Sequence, residues 1–424
     1  MSILGKFATR SKFAARRILS LLTSPQATCL FGEPLFWLLG LRQRQREIDL
    51  SRVQRVLVVR LDEIGDVVMT TSFLRELRRN IPDAWITLVV NPVVHNLVEL
   101  CPYVNEVLTY DGNIQGRFAI ERRRLRALYL AMRHLWCRRF DLAIVPRWDA
   151  DYYHASFVAY FSGASWRVGY SEKVIEYKKK KNCGYDNLFT HVMTNNTLKH
   201  EVERNLDVLR FLGRAVADDQ LELSISKEDE EFAMKFLSNH NVEPHNLLVA
   251  ISPGARELKR QWPIENYIGI CLWLQNTYDA SILVVGGSGE GRLGEILKNS
   301  LQFNNVINSV EKTTLRQTIA LLKHCRLFVG NDSGPLHMAV AVGLPVVEIS
   351  CHQMLGSMPH SNSPARFGPW RVPHSILQPD SSVYPCSDAC TADQPHCICK
   401  VTVEQVKAAI SGRLLRKKVS LNKG

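Results

Sequence analysis

Asp66 stands directly after Gly65 in the run Arg60-Leu61-Asp62-Glu63-Ile64-Gly65-Asp66-Val67, between a short apolar run and an amphipathic one. An α/β domain places its ligand loop at such a junction. A carboxylate there has two uses. It caps the helix that follows, or it takes a proton from a substrate hydroxyl within hydrogen-bond reach. Gly65 allows a tight turn and the close approach of a ligand. The junction lacks G-x-G-x-x-G, which disfavours a dinucleotide-dependent oxidoreductase.

Three further junctions of this kind could hold an anion. Ser252-Pro253-Gly254-Ala255-Arg256-Glu257-Leu258-Lys259-Arg260-Gln261-Trp262-Pro263 combines a glycine turn, a basic cluster and a Trp-Pro helix start. Its free amides with Lys259 and Arg260 suit a phosphate, and a basic surface loop is the plain alternative. Gly330-Asn331-Asp332-Ser333-Gly334-Pro335-Leu336-His337 offers Ser333 and the amides of a helix N-terminus to phosphate oxygens, with His337 one turn on. Gly286-Gly287-Ser288-Gly289-Glu290 suits a nucleotide, with Glu290 on the ribose hydroxyls, although any glycine-rich βα turn looks similar.

The eleven cysteines are an odd number, and seven are scattered singly, which argues against a secreted disulfide framework. Cys386, Cys390, Cys397 and Cys399 cluster as C-x3-C-x6-C-x-C. That spacing departs from the C-x2-C pairs of structural zinc sites. It is read as a reduced set bracing a loop, with metal or iron–sulfur binding as the alternative and no metal ligand assigned.

Positioning these residues takes alternating elements. Strands are expected at 56–59, 85–90, 106–109 and 141–145, with helices at 67–79, 93–100 and 119–137 and a further helix at 200–212. After a polar, acidic stretch at 214–245 the pattern restarts. Strands fall at 247–252, 281–285, 306–307, 327–329 and 345–349, helices follow Pro263 and cover 313–323 and 335–342, residues 350–400 are loop-rich, and a last helix covers 402–413. Such alternation implies βαβ units in two doubly wound halves. Ligands then sit at the carboxyl ends of the strands. The organisation expected is an N-terminal extension (1–50), a first domain (51–215), a linker (216–245), a second domain (246–400) and a C-terminal helix with a basic tail (401–424).

The 424 residues carry 53 Lys+Arg against 41 Asp+Glu, a net of +12. Residues 1–212 hold 32 and 21 of these, so nearly all of the excess lies in the first half. That half is expected to meet something anionic: nucleic acid, a membrane surface or a phosphorylated ligand. Its basic runs, Arg122 to Arg124 with Arg126 and Lys178 to Lys181, are either solvated faces or contacts for acceptor phosphates and anionic lipid. Aromatic interleaving of a nucleic-acid platform is not evident. No run of about 20 apolar residues is present, so no membrane span is expected. Residues 1–24 carry Lys6, Arg10, Lys12, Arg16 and Arg17 before the first acid, Glu33. They read as a basic amphipathic helix on anionic lipid, a transit peptide or a plain basic tail.

Together these segments resemble glycosyltransferase family 9, the bacterial ADP-heptose:lipopolysaccharide heptosyltransferases. The resemblance runs from about Val56 to Val406. It is carried by VLVVRLDEIGDVVMTT (56–71), HEVERNLDVL (200–209), SPGA…RQWP (252–263) and GNDSGPLHMAVAVGLPVV (330–347). It implies an α/β GT-B fold: two Rossmann-like domains facing across a cleft, with the last helix crossing back to the first. It implies ADP-L-glycero-β-D-manno-heptose as donor, held mainly by the second domain, and a lipid A-linked Kdo- or heptose-bearing oligosaccharide as acceptor, met by the first. Asp66 would be the general base of an inverting transfer with ADP leaving. The position of the family's phosphate-binding Lys is Arg260 here, with Lys259 beside it. Asp332 would meet the donor sugar, Ser333, Gly334 and His337 the diphosphate, and Glu290 the ribose. Arg60, Arg122 and Lys178 are the acceptor-binding candidates. No bound metal or other cofactor and no nucleic acid is implied, and the place of action would be the cytoplasmic face of the inner membrane. The alternatives are another nucleotide sugar on an anionic glycan, or a catalytically silent relative docking on membrane or nucleic acid. The sequence does not fix the oligomeric state.

Overall fold

Val56, Leu57, Val58 and Val59 are fully buried, because the strand they form has a packed layer on each side. Val56 and Val58 face one apolar cluster, Leu57 and Val59 another. A continuous apolar run rather than an alternating one is the mark of a central parallel strand. The computed structural model describes residues 24–42, 47–301, 305–354, 363–387 and 389–421. In the first sheet β1 (Arg55–Arg60), β2 (Trp85–Val90), β3 (Glu106–Thr109), β4 (Leu142–Val145), β5 (Trp166–Tyr170) and β6 (His191–Met193) lie in the order β3-β2-β1-β4-β5-β6. In the second, β7 (Leu248–Ser252), β8 (Ser281–Val284), β9 (Val306–Asn308), β10 (Leu327–Asn331), β11 (Val346–Ile349) and β12 (His374–Leu377) lie in the order β12-β11-β10-β7-β8-β9.

All pairings are parallel. Each sheet therefore has the doubly wound order, reversing between β1 and β4 and between β7 and β10. The loops after these four strands are the crevice loops of such folds. Two Rossmann-like domains result. One apolar cluster joins them, running from Val56, Val58 and Phe73 of the first to Leu248, Phe328 and Leu336 of the second.

Several expectations need correction. The helix expected over 67–79 is two, Ile64–Val68 and Thr71–Asn80. The basic helix expected over 119–137 is α-helical over Ala119–Leu130 and then widens into a π turn at Ala131–Leu135. The stretch read as linker holds the helix Lys227–Ser238, closed by a Ser226/Asp229 capping box. Its acidic run is a helix first turn, where carboxylates meet the positive dipole end. Ala233 and Leu237 bury its other side, and Arg316 of the helix Leu315–Lys323 reaches Asp229 at 2.8 Å.

Residues 25–42, within the stretch read as an N-terminal extension (1–50), pack on the first domain. Ser24 caps the helix Pro25–Leu38, Phe36 packs edge-on against Trp136 and Tyr160, and Arg42 lies over both Phe36 and Tyr160. The pattern ascribed to residues 1–24 lies outside the described residues, Ser24 apart. The last helix, Val403–Leu421, packs on the second domain through its first turns. Val406 and Ile410 bury it in the second domain's cluster, and Ser411 meets Tyr278 at 3.0 Å. Arg366 and Trp370 also reach the first domain: Trp370 stacks on His200 with centroids 4.4 Å apart.

Candidate active site

β1 ends in Arg60, whose guanidinium is buried. It donates to the Pro146 carbonyl at 3.2 Å and to Asp66 Oδ1 at 3.0 Å, and pairs with Asp62 at 3.1 Å. Arg60, expected to face an acceptor, is thus spent on holding Asp66. Asp66 sits in the first turn of the helix Ile64–Val68, but that helix has no side-chain cap. The Asp66 side chain is 16% exposed. Burial pushes Asp66 up to about 6, with Arg60 pulling the other way and Asp62 adding to the rise. A carboxylate poised there is a competent general base near neutral pH. The base form is the deprotonated one, so kcat/KM is expected to climb about tenfold per pH unit below about 6 and to level off above it. Removing Arg60, which lowers the Asp66 value, is expected to move that limb to higher pH. A pH–rate profile of each protein checks both.

Behind Asp66 lies a charge network that sequence reasoning missed. Asp62 pairs with Arg147. Arg366, fully buried, pairs with Asp149 at 3.2 Å and with Glu201 at 3.3 Å. Arg204 lies 3.3 Å over the Trp148 ring and Arg366 4.8 Å from it. The one signal was the HEVERNLDVL segment, which supplies Glu201 and Arg204 but had been given no role. Lys178 also proves internal. Its ammonium donates to the carbonyls of Arg147, Trp148 and Tyr170 at 3.0–3.2 Å, and burial pushes it down to about 8. It shapes the loop after β4 rather than meeting an acceptor. Arg122 is exposed on the helix Ala119–Leu130, and no contact among the described residues joins it to Asp66.

The second domain brings its three motifs together. Asn331, buried at the end of β10, donates to the Pro253 carbonyl at 2.7 Å and accepts from Trp262 N–H at 3.1 Å and Tyr267 O–H at 2.9 Å. This locks the loop after β7 to the loop after β10. Arg260 then reaches Asp332 Oδ2 at 2.6 Å, and His337 Nε2 lies 3.6 Å from Oδ1. Against the cost of burial, Arg260 and then His337 hold Asp332 at about 2. Lys259 points elsewhere, pairing with Glu257 at 3.0 Å on the rim. The hydroxyl of Ser333 is buried without a partner among the described residues, and it does not cap its own helix, Gly334–Ala341.

Glu290 lies over Gly254 and Gly286, where any Cβ would overlap its carboxylate. It accepts from Gly287 N–H at 2.7 Å, and burial raises its pKa. Glu348, beside Gly330 on β11, was not foreseen. Burial first, then Asp332, raises its pKa well above the ordinary value, with Arg260 opposing.

The halves meet at these helix starts. A Cβ on Gly65 would overlap His337 Cδ2, and one on Gly334 would lie 3.1 Å from Ile64 Cβ. Only glycines let the helices Ile64–Val68 and Gly334–Ala341 approach so closely. Arg256 crosses the mouth to Glu63, which also accepts from Tyr153 O–H at 2.9 Å. The helix start that carries Asp66 therefore packs against the helix start that carries His337.

Residues 131–388 match glycosyltransferase family 9 (heptosyltransferase). The chain belongs to this family. It is 22% identical over 307 residues to the lipopolysaccharide core heptosyltransferase OpsX of Haemophilus influenzae, covering 72% of this chain and 81% of that one. A family 9 glycosyl transferase from Veillonella parvula has the same fold at TM-score 0.69 and 20% identity, covering 87% and 99%. The Escherichia coli heptosyltransferase WaaC, solved with ADP, superposes at TM-score 0.61 and 15% identity, covering 85% and 100%. This family 9 member is a glycosyltransferase with two Rossmann-like domains. Its Asp66 lies in the helix Ile64–Val68, Gly334 and His337 in the helix Gly334–Ala341, and Arg260, Asp332 and Ser333 in the segments leading into helices.

Proposed function

We propose that this enzyme transfers heptose from ADP-L-glycero-β-D-manno-heptose to the inner core of lipopolysaccharide, with inversion. The observation that carries the mechanism is Asp66, raised to about 6 and held by Arg60, one residue past the glycine that packs on His337. Asp66 takes the proton of an acceptor hydroxyl. The oxygen attacks the anomeric carbon as its bond to the diphosphate breaks, and ADP leaves. A β-linked donor therefore gives an α-linked product. Ser333, His337, Arg260 and the amides opening Gly334–Ala341 meet the leaving charge, with Lys259 at the rim. Asp332 meets the donor sugar and Glu290 the ribose. The relatives' names and the ADP bound by WaaC support the choice of donor. The test is a panel of ADP-, UDP- and GDP-sugars offered with Kdo-bearing acceptors. Transfer from ADP-heptose alone, with an α-linked product by NMR, supports the reading. Equal use of a UDP-sugar would overturn it.

The acceptor is lipid-anchored in this reading, and the first domain has a surface to meet it. Leu30, Phe31, Trp37 and Leu38 of the helix Pro25–Leu38 are exposed, as are Ile120, Leu125 and Tyr129 of Ala119–Leu130. Both helices bury other residues in one cluster, through Phe36, Ala127 and Leu130. Arg122 and Arg126 are exposed on the second of these helices. Exposed apolar side chains together with exposed cations fit an anionic bilayer surface. Among the described residues no helix is long and apolar enough to cross a membrane. The enzyme is expected to float with anionic vesicles at low salt. Trp37→Asp with Leu38→Asp should lower the bound fraction severalfold and leave turnover on a water-soluble acceptor unchanged.

A further inference from the structure

Cys386, Cys390, His396 and Cys397 bring three sulfurs and a ring nitrogen within 4.8 Å of one another. His396 Nδ1 lies 3.5 Å from the Sγ of Cys386 and 3.5 Å from that of Cys397. A tetrahedral zinc ion with bonds of about 2.3 Å to sulfur and about 2.0–2.1 Å to nitrogen has S···N edges of about 3.5–3.6 Å. Both observed edges meet that value. The three cysteines are buried. Backbone N–H groups point at the sulfurs: Thr391 donates to Cys386 at 3.4 Å and Val383 to Cys397 at 3.5 Å. Such donors stabilise ligating thiolates. Cys399, counted with the others on spacing, is exposed and stands apart. Its place is taken by His396.

We propose that Cys386, Cys390, His396 and Cys397 bind one structural zinc ion. With four protein ligands the site is closed, so the ion has no open position for a substrate. Its work is to fix a segment with little regular structure. Cys397–Lys400 is a single 3-10 turn, Ile398 is fully buried, and the Val401 carbonyl accepts from Trp262 Nε1–H at 2.9 Å. Trp262 follows Arg260 by two residues, so the ion braces the back of the phosphate loop. Ser387, inside the same segment, accepts from Gln353 at 2.8 Å beyond β11. The proposal holds whichever sugar the enzyme transfers.

The test is metal analysis of the purified full-length chain from zinc-supplemented cells. Close to one zinc per chain is expected after gel filtration. Cys390→Ser and Cys397→Ser should lose it, and Cys399→Ser should keep it. Because the first two variants could misfold, the wild type is also stripped and titrated with cobalt(II). The intense visible bands of tetrahedral cobalt thiolate should grow to one equivalent. Wild-type protein without zinc, or cobalt giving only the weak spectrum of its aqua ion, would overturn the site. Zinc lost equally from Cys399→Ser would overturn the ligand set, and iron in zinc's place the choice of ion.

Discussion

Replacing Asp66 with Ala is expected to lower kcat by about 10²–10⁴-fold while leaving the affinity for ADP nearly unchanged. The split follows from where Asp66 sits. It lies on the first domain with Arg60 as its partner, and none of its described contacts reaches Arg260, Ser333 or Glu290, the residues assigned to ADP. A second consequence separates base from scaffold. The residual activity of Asp66→Ala should no longer climb through pH 6, because the group that titrates there in the wild type is gone. Rates across pH, with ADP titration by calorimetry, check both. A scaffold role would instead show as lost ADP affinity with the pH limb intact.

The largest effect on stability is expected at Arg366. It is fully buried and pairs with both Asp149 and Glu201. Removing one partner of a buried ion pair leaves an uncompensated charge, at a cost of about 3–5 kcal/mol. Arg366→Ala leaves two such carboxylates, although Arg60 near Glu201 and Arg147 near Asp149 soften the loss. Arg366 also comes from the second half of the chain and seats on the first domain. The variant should therefore unfold at clearly lower denaturant, and Arg366→Met should recover little. Equilibrium urea unfolding of the three proteins measures this. A change below about 1 kcal/mol would mean that the network is solvated rather than buried.

How much was legible follows the range of the interactions. β1, β7 and β8 stood out because each carries an unbroken apolar run bounded by turn residues, and β2 because its apolar run is interrupted only by Thr87. The four ligand loops followed from β1, β7, β8 and β10, since glycine and a helix start after a strand are local features. β5 was missed because Trp166–Tyr170 contains Arg167 and Gly169, which break the apolar run. Arg167 is tolerated because it donates to the carbonyls of Leu188 and Ala164. β6 has three residues, too few for any period. The helix Lys227–Ser238 hid behind its acidic first turn.

Side-chain roles at the site were less legible. Arg60 and Lys178 are cations in a basic half, and spacing cannot tell a cation facing solvent from one folded onto carbonyls. What decides is partners such as Pro146, Asp62 and Tyr170, which meet only in the fold. Glu201 and Arg366 lie far apart in sequence, so no local pattern announces their pair. His396 was passed over for Cys399 because counting like residues favours a fourth cysteine, whereas the chain turns His396 inward.

The central claim is that Asp66 deprotonates an acceptor hydroxyl while the second domain holds ADP-heptose. It is tested most directly by ADP release from ADP-heptose in the presence of truncated lipid A–Kdo acceptors, with wild type and Asp66→Ala side by side. Release that needs an acceptor and that Asp66→Ala loses, although it still binds ADP, is the expected result. Acceptor-dependent release at equal rates from both proteins would contradict the account.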